Sequence, residues 1–162
     1  MKYLDFFKKL QENSIEFLIV GGLALAIYGS PRFTYDIDIV LSLDDENIKK
    51  FVKIILELGY KVKIPINPMD FAIKEKREEW IQNKNMKALN FYNDSSNLPE
   101  VDIVIDNADY NSMKLTKKLF SIDGIDLPVP SISDLIIMKQ NAGRNVDIED
   151  IEFLKFIENK NV

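Results

Sequence analysis

The chain has 162 residues, 46% hydrophobic and 29% charged, a composition ordinary for a globular protein and a length that suits one domain over 1–162. It contains neither cysteine nor histidine, which excludes disulfides, thiolate metal sites, a cysteine nucleophile and imidazole bases. Any bound metal must then sit on oxygen ligands, which favours magnesium, manganese or calcium, and the net charge of −5 argues against broad affinity for duplex nucleic acid.

Residues 2–13 place Leu4, Phe6, Phe7 and Leu10 at near-helical spacing. Phe17 to Val20 is a short apolar run that reads as a buried strand ending at Gly21-Gly22. Leu23 to Tyr28 suits a short helix closed by Gly29-Ser30-Pro31, and a second strand is expected from about Tyr35 to Leu41. Asp44-Asp45-Glu46 opens a helix to about Leu58, with acids at its positive end and Gly59 behind it. Tyr60 to Ile64 reads as a strand before a loop punctuated by Pro65 and Pro68. Residues 70–85 mix helical and loop signals, and their Lys74, Lys76, Arg77, Lys84 and Lys87 read as a solvated helix face diluted by glutamates. Met86 to Tyr92 and Val101 to Ile105 read as strands around a turn at residues 93–97. A hairpin over 117–129 turns at Asp123-Gly124, and helices over about Ser131–Asn141 and Asp147–Asn159 finish an α+β domain. No apolar run reaches the roughly 18–20 residues of a membrane span, and the start of the chain, with Asp5, has no secretory character. The expected compartment is the cytoplasm, with no membrane partner.

The chemistry concentrates in Val20-Gly21-Gly22-Leu23-Ala24 and in Arg32-Phe33-Thr34-Tyr35-Asp36-Ile37-Asp38-Ile39-Val40. On a strand, Asp36 and Asp38 share one face while Ile37 and Ile39 anchor the other. Two converging carboxylates repel each other, and a divalent cation would offset that repulsion. Glycines between a strand and a helix let backbone N–H groups approach an anion. Together they suggest a metal-bound triphosphate.

Gly21-Gly22, thirteen intervening residues and Asp36-Ile37-Asp38-Ile39 resemble the signature of minimal nucleotidyltransferases of the DNA polymerase β superfamily. The resemblance implies a palm-like fold, a mixed β-sheet flanked by helices. It implies glycines that contact an NTP, two magnesium ions (manganese as the alternative) held by Asp36 and Asp38, and a third carboxylate on a nearby strand. Asp102 in Val101-Asp102-Ile103-Val104 matches that third position, and Asp106, on the same strand face, is the alternative. Arg32 and Thr34 lie close enough in sequence to contact phosphate.

The segment Ser131 to Lys139, continuing through Gly143-Arg144 to Asp147 and Asp150, resembles the C-terminal signature of abortive-infection toxin-type and drug-modifying nucleotidyltransferases. It implies Lys139 and Arg144 as nucleotide contacts, Arg144 having a nearby carboxylate as its other partner. Asp147 and Asp150 read as structural, spaced like an N-cap and its acidic N3 partner. The likeness covers residues 15–41, 99–106 and 128–155, whereas about 65–98 matches nothing. The implied activity is NMP transfer to a hydroxyl of a tRNA, a protein or a small molecule, with a toxin of a toxin–antitoxin pair as the first physiological reading. Two further readings are a non-catalytic nucleotide-binding module and a subunit that pairs with a helical or antitoxin protein through apolar residues such as Phe153 and Phe156.

Overall fold

The computed structural model describes residues 2–95, 97–106 and 108–160. The chain runs α1 (Lys2–Glu12), β1 (Phe17–Val20), α2 (Gly21–Ile27), β2 (Ile37–Leu41), α3 (Asp45–Glu57) and β3 (Tyr60–Val62). A 3-10 turn at Pro68–Ala72 leads to α4 (Lys74–Lys84), β4 (Ala88–Asn93), β5 (Val101–Val104) and α5 (Tyr110–Met113). The hairpin β6 (Lys118–Ile122) and β7 (Ile125–Val129) precedes α6 (Ile132–Ala142) and α7 (Asn145–Lys160). Among the described residues, five strands form a sheet in the order β1-β2-β5-β4-β3, and β6-β7 stand as a separate pair. Only the β2–β5 pairing within the large sheet is parallel, so the architecture is α+β with a mixed sheet flanked by helices. No helix among the described residues is long and apolar enough to cross a membrane.

Strand alternation divides the sheet into two unlike faces. Phe17, Ile19, Ile37, Ile39, Leu89, Phe91, Val101 and Ile103 turn to one side, where they form the main core with Phe7 and Leu10 of α1 and Ile48, Phe51 and Ile55 of α3. The other side carries a small apolar cluster of Leu18, Val20 and Val40, covered by Tyr110 and Met113 of α5. Beyond that cover, the same face presents Asp38, Asp102 and Asn90, none of them fully buried. A sheet buried on one face and open on the other explains why only β1 is apolar throughout.

Local chemistry sets the element ends. The Asp44 carboxylate caps α3 by accepting from the Glu46 and Asn47 N–H groups at 3.1 and 3.2 Å. Asp123 and Gly124 both have positive φ, 52° and 77°, as the tight two-residue hairpin requires. Ser131 caps α6 by accepting from the Asp134 N–H, and Gly143 ends that helix in the left-handed region at φ 64°.

Several expected boundaries are corrected. β2 begins at Ile37, not Tyr35, because the Ile37 N–H donates to the Glu100 carbonyl and the preceding residues lack a paired strand; Asp36 therefore lies in a bend at the strand's entrance. α2 starts at Gly21, so the glycines form its first turn instead of a loop before it. Residues 74–84 are helical and mostly solvated, but Arg77 is buried and donates to the Phe71 carbonyl at 2.6 Å. α7 begins at Asn145, two residues before the expected start, so Asp147 is inside the helix and not its N-cap. Phe153 packs against the main core while Phe156 is exposed. The expected turn at residues 93–97 includes Ser96, which lies outside the described residues.

Candidate active site

The site is built where β1 turns into α2 beside the centre of the sheet. Asp38 on β2 is the register partner of Val20 on one side and of Asp102 on the other. Parallel pairing of β2 with β5 thus sets two carboxylates side by side on the open face, as neighbouring strands are about 4.8 Å apart. Asp36, at the entrance to β2, adds a third negative charge that acts on both.

Burial raises the Asp38 carboxyl first, and the charges of Asp102 and Asp36 raise it further; Lys139 and Arg144 oppose them, leaving it at about 6. Asp102 is also raised, chiefly by desolvation, against a hydrogen bond from Asn90 Nδ2 to its Oδ1 at 2.8 Å. Asp106 lies beyond the end of β5 and accepts from Lys87 Nζ at 2.6 Å, whereas Asp102 is in register with Asp38. The geometry therefore selects Asp102 over Asp106 as the neighbour of the pair.

Gly21 has φ 62°, and a Cβ placed there would stand 2.0 Å from Asp38 Oδ2. A Cβ on Gly22 would come within 2.9 Å of Thr34 Cβ and Oγ1. The first turn of α2 is thus pressed onto Asp38 and Thr34, which only glycine permits. Gly21→Ala is expected to cost about 1–3 kcal/mol through its left-handed backbone and to displace the Asp38 carboxylate as well. Urea unfolding beside a nucleotide-binding assay checks this, and a fully stable variant with normal binding would contradict it.

The remaining expected residues form a charge network whose Lys139 and Arg144 act on Asp38. Lys139, 5% exposed, donates from Nζ to Asp147 Oδ1 at 3.2 Å and to Asp150 Oδ2 at 2.7 Å. Arg32 pairs with the same Asp150 oxygen. Arg144 grips Asp147 through its backbone N–H, Nε and Nη2 at 3.0, 2.9 and 3.1 Å. Burial opposes ionisation of Asp147, but the Arg144 and Lys139 donors outweigh it and hold the carboxyl down at about 2. Lys139 is consequently enclosed between carboxylates instead of facing solvent, while Arg144 keeps an exposed side chain whose charge acts on Asp38.

Asn90 is the position at the site that the sequence does not single out, whereas Asp147 and Asp150, expected to be structural, form ion pairs with Lys139, Arg144 and Arg32. Asn90 takes an outward position in the alternation of β4, between the buried Leu89 and Phe91, and that placement is the available signal. Tyr3 is a further addition; its hydroxyl donates to the Tyr35 and Thr34 carbonyls and ties α1 to the loop before Asp36.

An all-oxygen donor set and a pair of mutually repelling carboxylates, one of them approached closely by the Gly21 backbone, fit a hard divalent cation. Among the described residues, no three carboxylate side chains are gathered closely enough to form a complete metal site. The acids are coupled by charge without being preassembled as a coordination shell.

The same architecture occurs in solved nucleotidyltransferases. The lincosamide antibiotic adenylyltransferase LnuA, solved with lincomycin, matches with TM-score 0.63 and 14% identity over 95% of this chain and 94% of its own. An antigenic nucleotidyltransferase-like protein from Paracoccidioides brasiliensis matches with TM-score 0.60 and 16% identity over 93% of this chain and 72% of its own. ANT(2'')-Ia, solved with adenylyl-2''-tobramycin, matches with TM-score 0.59 and 14% identity over 95% and 88%. No curated protein sequence matches the chain. A family model described as nucleotidyltransferase of unknown function (DUF6036) matches residues 2–162, and the chain belongs to that nucleotidyltransferase family.

Proposed function

We propose that the protein transfers a nucleoside monophosphate from an NTP to an acceptor hydroxyl, with Asp36, Asp38 and Asp102 holding divalent metal. The observation that carries this reading is the side-by-side setting of Asp38 and Asp102, with Gly21 closed down on Asp38 Oδ2. Bound magnesium or manganese would neutralise charge on the triphosphate and lower the pKa of the attacking hydroxyl. Gly21 and Gly22 receive the triphosphate on the β1 side of Asp38, and Arg32, Thr34 and the exposed Arg144 lie around the same end. Lys139 acts indirectly, through its charge on Asp38 and its hold on Asp147 and Asp150.

In the reaction the acceptor oxygen bonds to the α-phosphorus and the bond from that phosphorus to the β-phosphate oxygen breaks, releasing pyrophosphate. Asn90 occupies Asp102 Oδ1, which leaves Oδ2 to take the hydroxyl proton. A toxin's role in a toxin–antitoxin pair is supported by the resemblance to abortive-infection proteins.

The test is thermal stabilisation by each of the four NTPs, with and without magnesium or manganese, in wild type and Asp38→Asn. A ligand specific for the folded state at a hundredfold excess over Kd raises stability by about 2.7 kcal/mol. The expected result is a metal-dependent shift that the variant loses, accompanied by pyrophosphate release once an acceptor is supplied. A second reading, a nucleotide-binding module without turnover, is favoured by the enclosure of Lys139 and the incomplete metal shell. It predicts the same shift with no pyrophosphate. A folded wild type that responds to no NTP would overturn both.

A further inference from the structure

The open sheet face continues past the carboxylates to the β3 edge. Asp38, Asp102 and Asn90 are successive register partners across β2, β5 and β4, and the Lys63 N–H donates to the Asn90 carbonyl at 2.9 Å. Lys61 is the register partner of Tyr92. Tyr60 and Val62 pack into the main core, so Lys61 and Lys63 project from the opposite face, the one that bears Asp102 and Asn90. Each lysine is exposed and paired with one acid, Lys61 with Asp94 and Lys63 with Glu100. Exposed pairs of this kind are weak and exchange readily for a phosphate.

We propose that this strip, Asn90, Tyr92, Lys61 and Lys63, is the acceptor site, and that the acceptor carries a phosphate next to its reacting hydroxyl, as a nucleic-acid 3′ end or a free nucleotide does. The proposal rests on the nucleotidyltransferase reading above. With the triphosphate on the β1 side of Asp38, the acceptor hydroxyl must approach from the Asp102 side, over β4 and β3. Two strand spacings of about 4.8 Å put the lysine-bearing strand roughly 10 Å from Asp102, a span of about one nucleotide. Lys63 is joined to Asp102 through Asn90, whose carbonyl accepts from the Lys63 N–H and whose Nδ2 donates to Asp102 Oδ1. Tyr92 offers an aromatic face between the carboxylates and Lys61. A polycationic acceptor would meet two lysines along this path, whereas a phosphate would exchange for Asp94 or Glu100.

The test measures binding of a short fluorescent single-stranded RNA with a free 3′-hydroxyl, and of a 5′-nucleoside monophosphate. The proteins are wild type, Lys61→Gln/Lys63→Gln and the control Lys117→Gln/Lys118→Gln, with metal–NTP thermal shifts recorded in parallel. The strip variant is expected to lose at least tenfold in RNA affinity, and its log–log salt slope to fall by about 1.4, roughly 0.7 for each lost phosphate contact on a single strand. The control and the NTP shift stay as in wild type. Lysine-dependent binding of RNA assigns a strand end as the acceptor, and the same dependence for the monophosphate alone assigns a free nucleotide. Equal binding by the two double variants, or binding of neither probe by a wild type that still shows its NTP shift, overturns the acceptor site and leaves the nucleotidyltransferase reading standing. Absence of the NTP shift removes that reading and this one with it.

Discussion

Asp38→Asn is expected to stabilise the metal-free protein while abolishing nucleotidyl transfer. The folded Asp38 carboxyl sits at about 6 against an ordinary 3.8, so the folded state holds its proton more strongly than the unfolded chain does. The group therefore lowers stability as pH rises from about 4 to 6, and the penalty is complete above the folded value. Its size is ~2–3 kcal/mol, from about 1.4 kcal/mol per pKa unit discounted for partial exposure. Removing the charge should raise the apparent Tm at pH 7.5 by roughly 5–10 °C for a chain of this length. Below pH 4 the two proteins should melt together. Magnesium should raise the wild-type Tm at pH 7.5 far more than at pH 4.5 and leave the variant unmoved. The loss in transfer, measured as pyrophosphate release, should be roughly 10³-fold or more, because a charge stabilising the transition state has gone. A variant destabilised at pH 7.5 would show that Asp38 is held by favourable contacts and not against repulsion.

That stored repulsion is itself what the sequence made visible. Asp36-Ile37-Asp38-Ile39 alternates acids with residues that the core buries completely, and two neighbouring acids on an otherwise apolar strand need a reason. Strands, α3 and the hairpin were legible for similar local causes: an apolar run in β1, the Asp44 cap, and Asp123-Gly124 with their positive φ. What was not legible depends on long-range pairing. Asp36 reads as part of the strand by alternation, but strand pairing begins only where Ile37 meets Glu100, sixty-odd residues later in the chain. Asn90 becomes the orienting partner of Asp102 only through the β4–β5 register. α4 was obscured because its outward residues alternate charge sign and its single buried arginine, Arg77, looks like surface from sequence. Lys139, Asp147 and Asp150 read as a motif in the sequence, but their joint burial is not legible there. Three ionisable side chains that would each avoid burial alone are buried together because they neutralise one another.

Lys139→Met tests how that network serves the site. Breaking a buried ion pair by removing one partner costs ~3–5 kcal/mol, because the charge left behind remains desolvated. Here Asp147 and Asp150 would both lose the ammonium, retaining only Arg144 and Arg32, so the upper half of that range is expected, a fall of about 10 °C or more in Tm. Adding Asp150→Asn should restore part of the loss, and a double-mutant cycle would measure the coupling. The acid limb carries its own signature. Asp147 is held down at about 2, so its contribution is present above the ordinary 3.8 and disappears as pH falls through 2. The variant should lose some of that protection and unfold at a higher pH in acid. A purely structural lysine would do no more. Lys139, however, also lowers the Asp38 carboxyl, and Asp150 ties Arg32 to the loop that ends at Asp36. In a variant still folded at low temperature, the acid limb of the pH–rate profile should therefore move to higher pH, as Asp38 loses a stabilising cation. An unshifted limb in a folded, destabilised variant would confine Lys139 to holding α6 against α7.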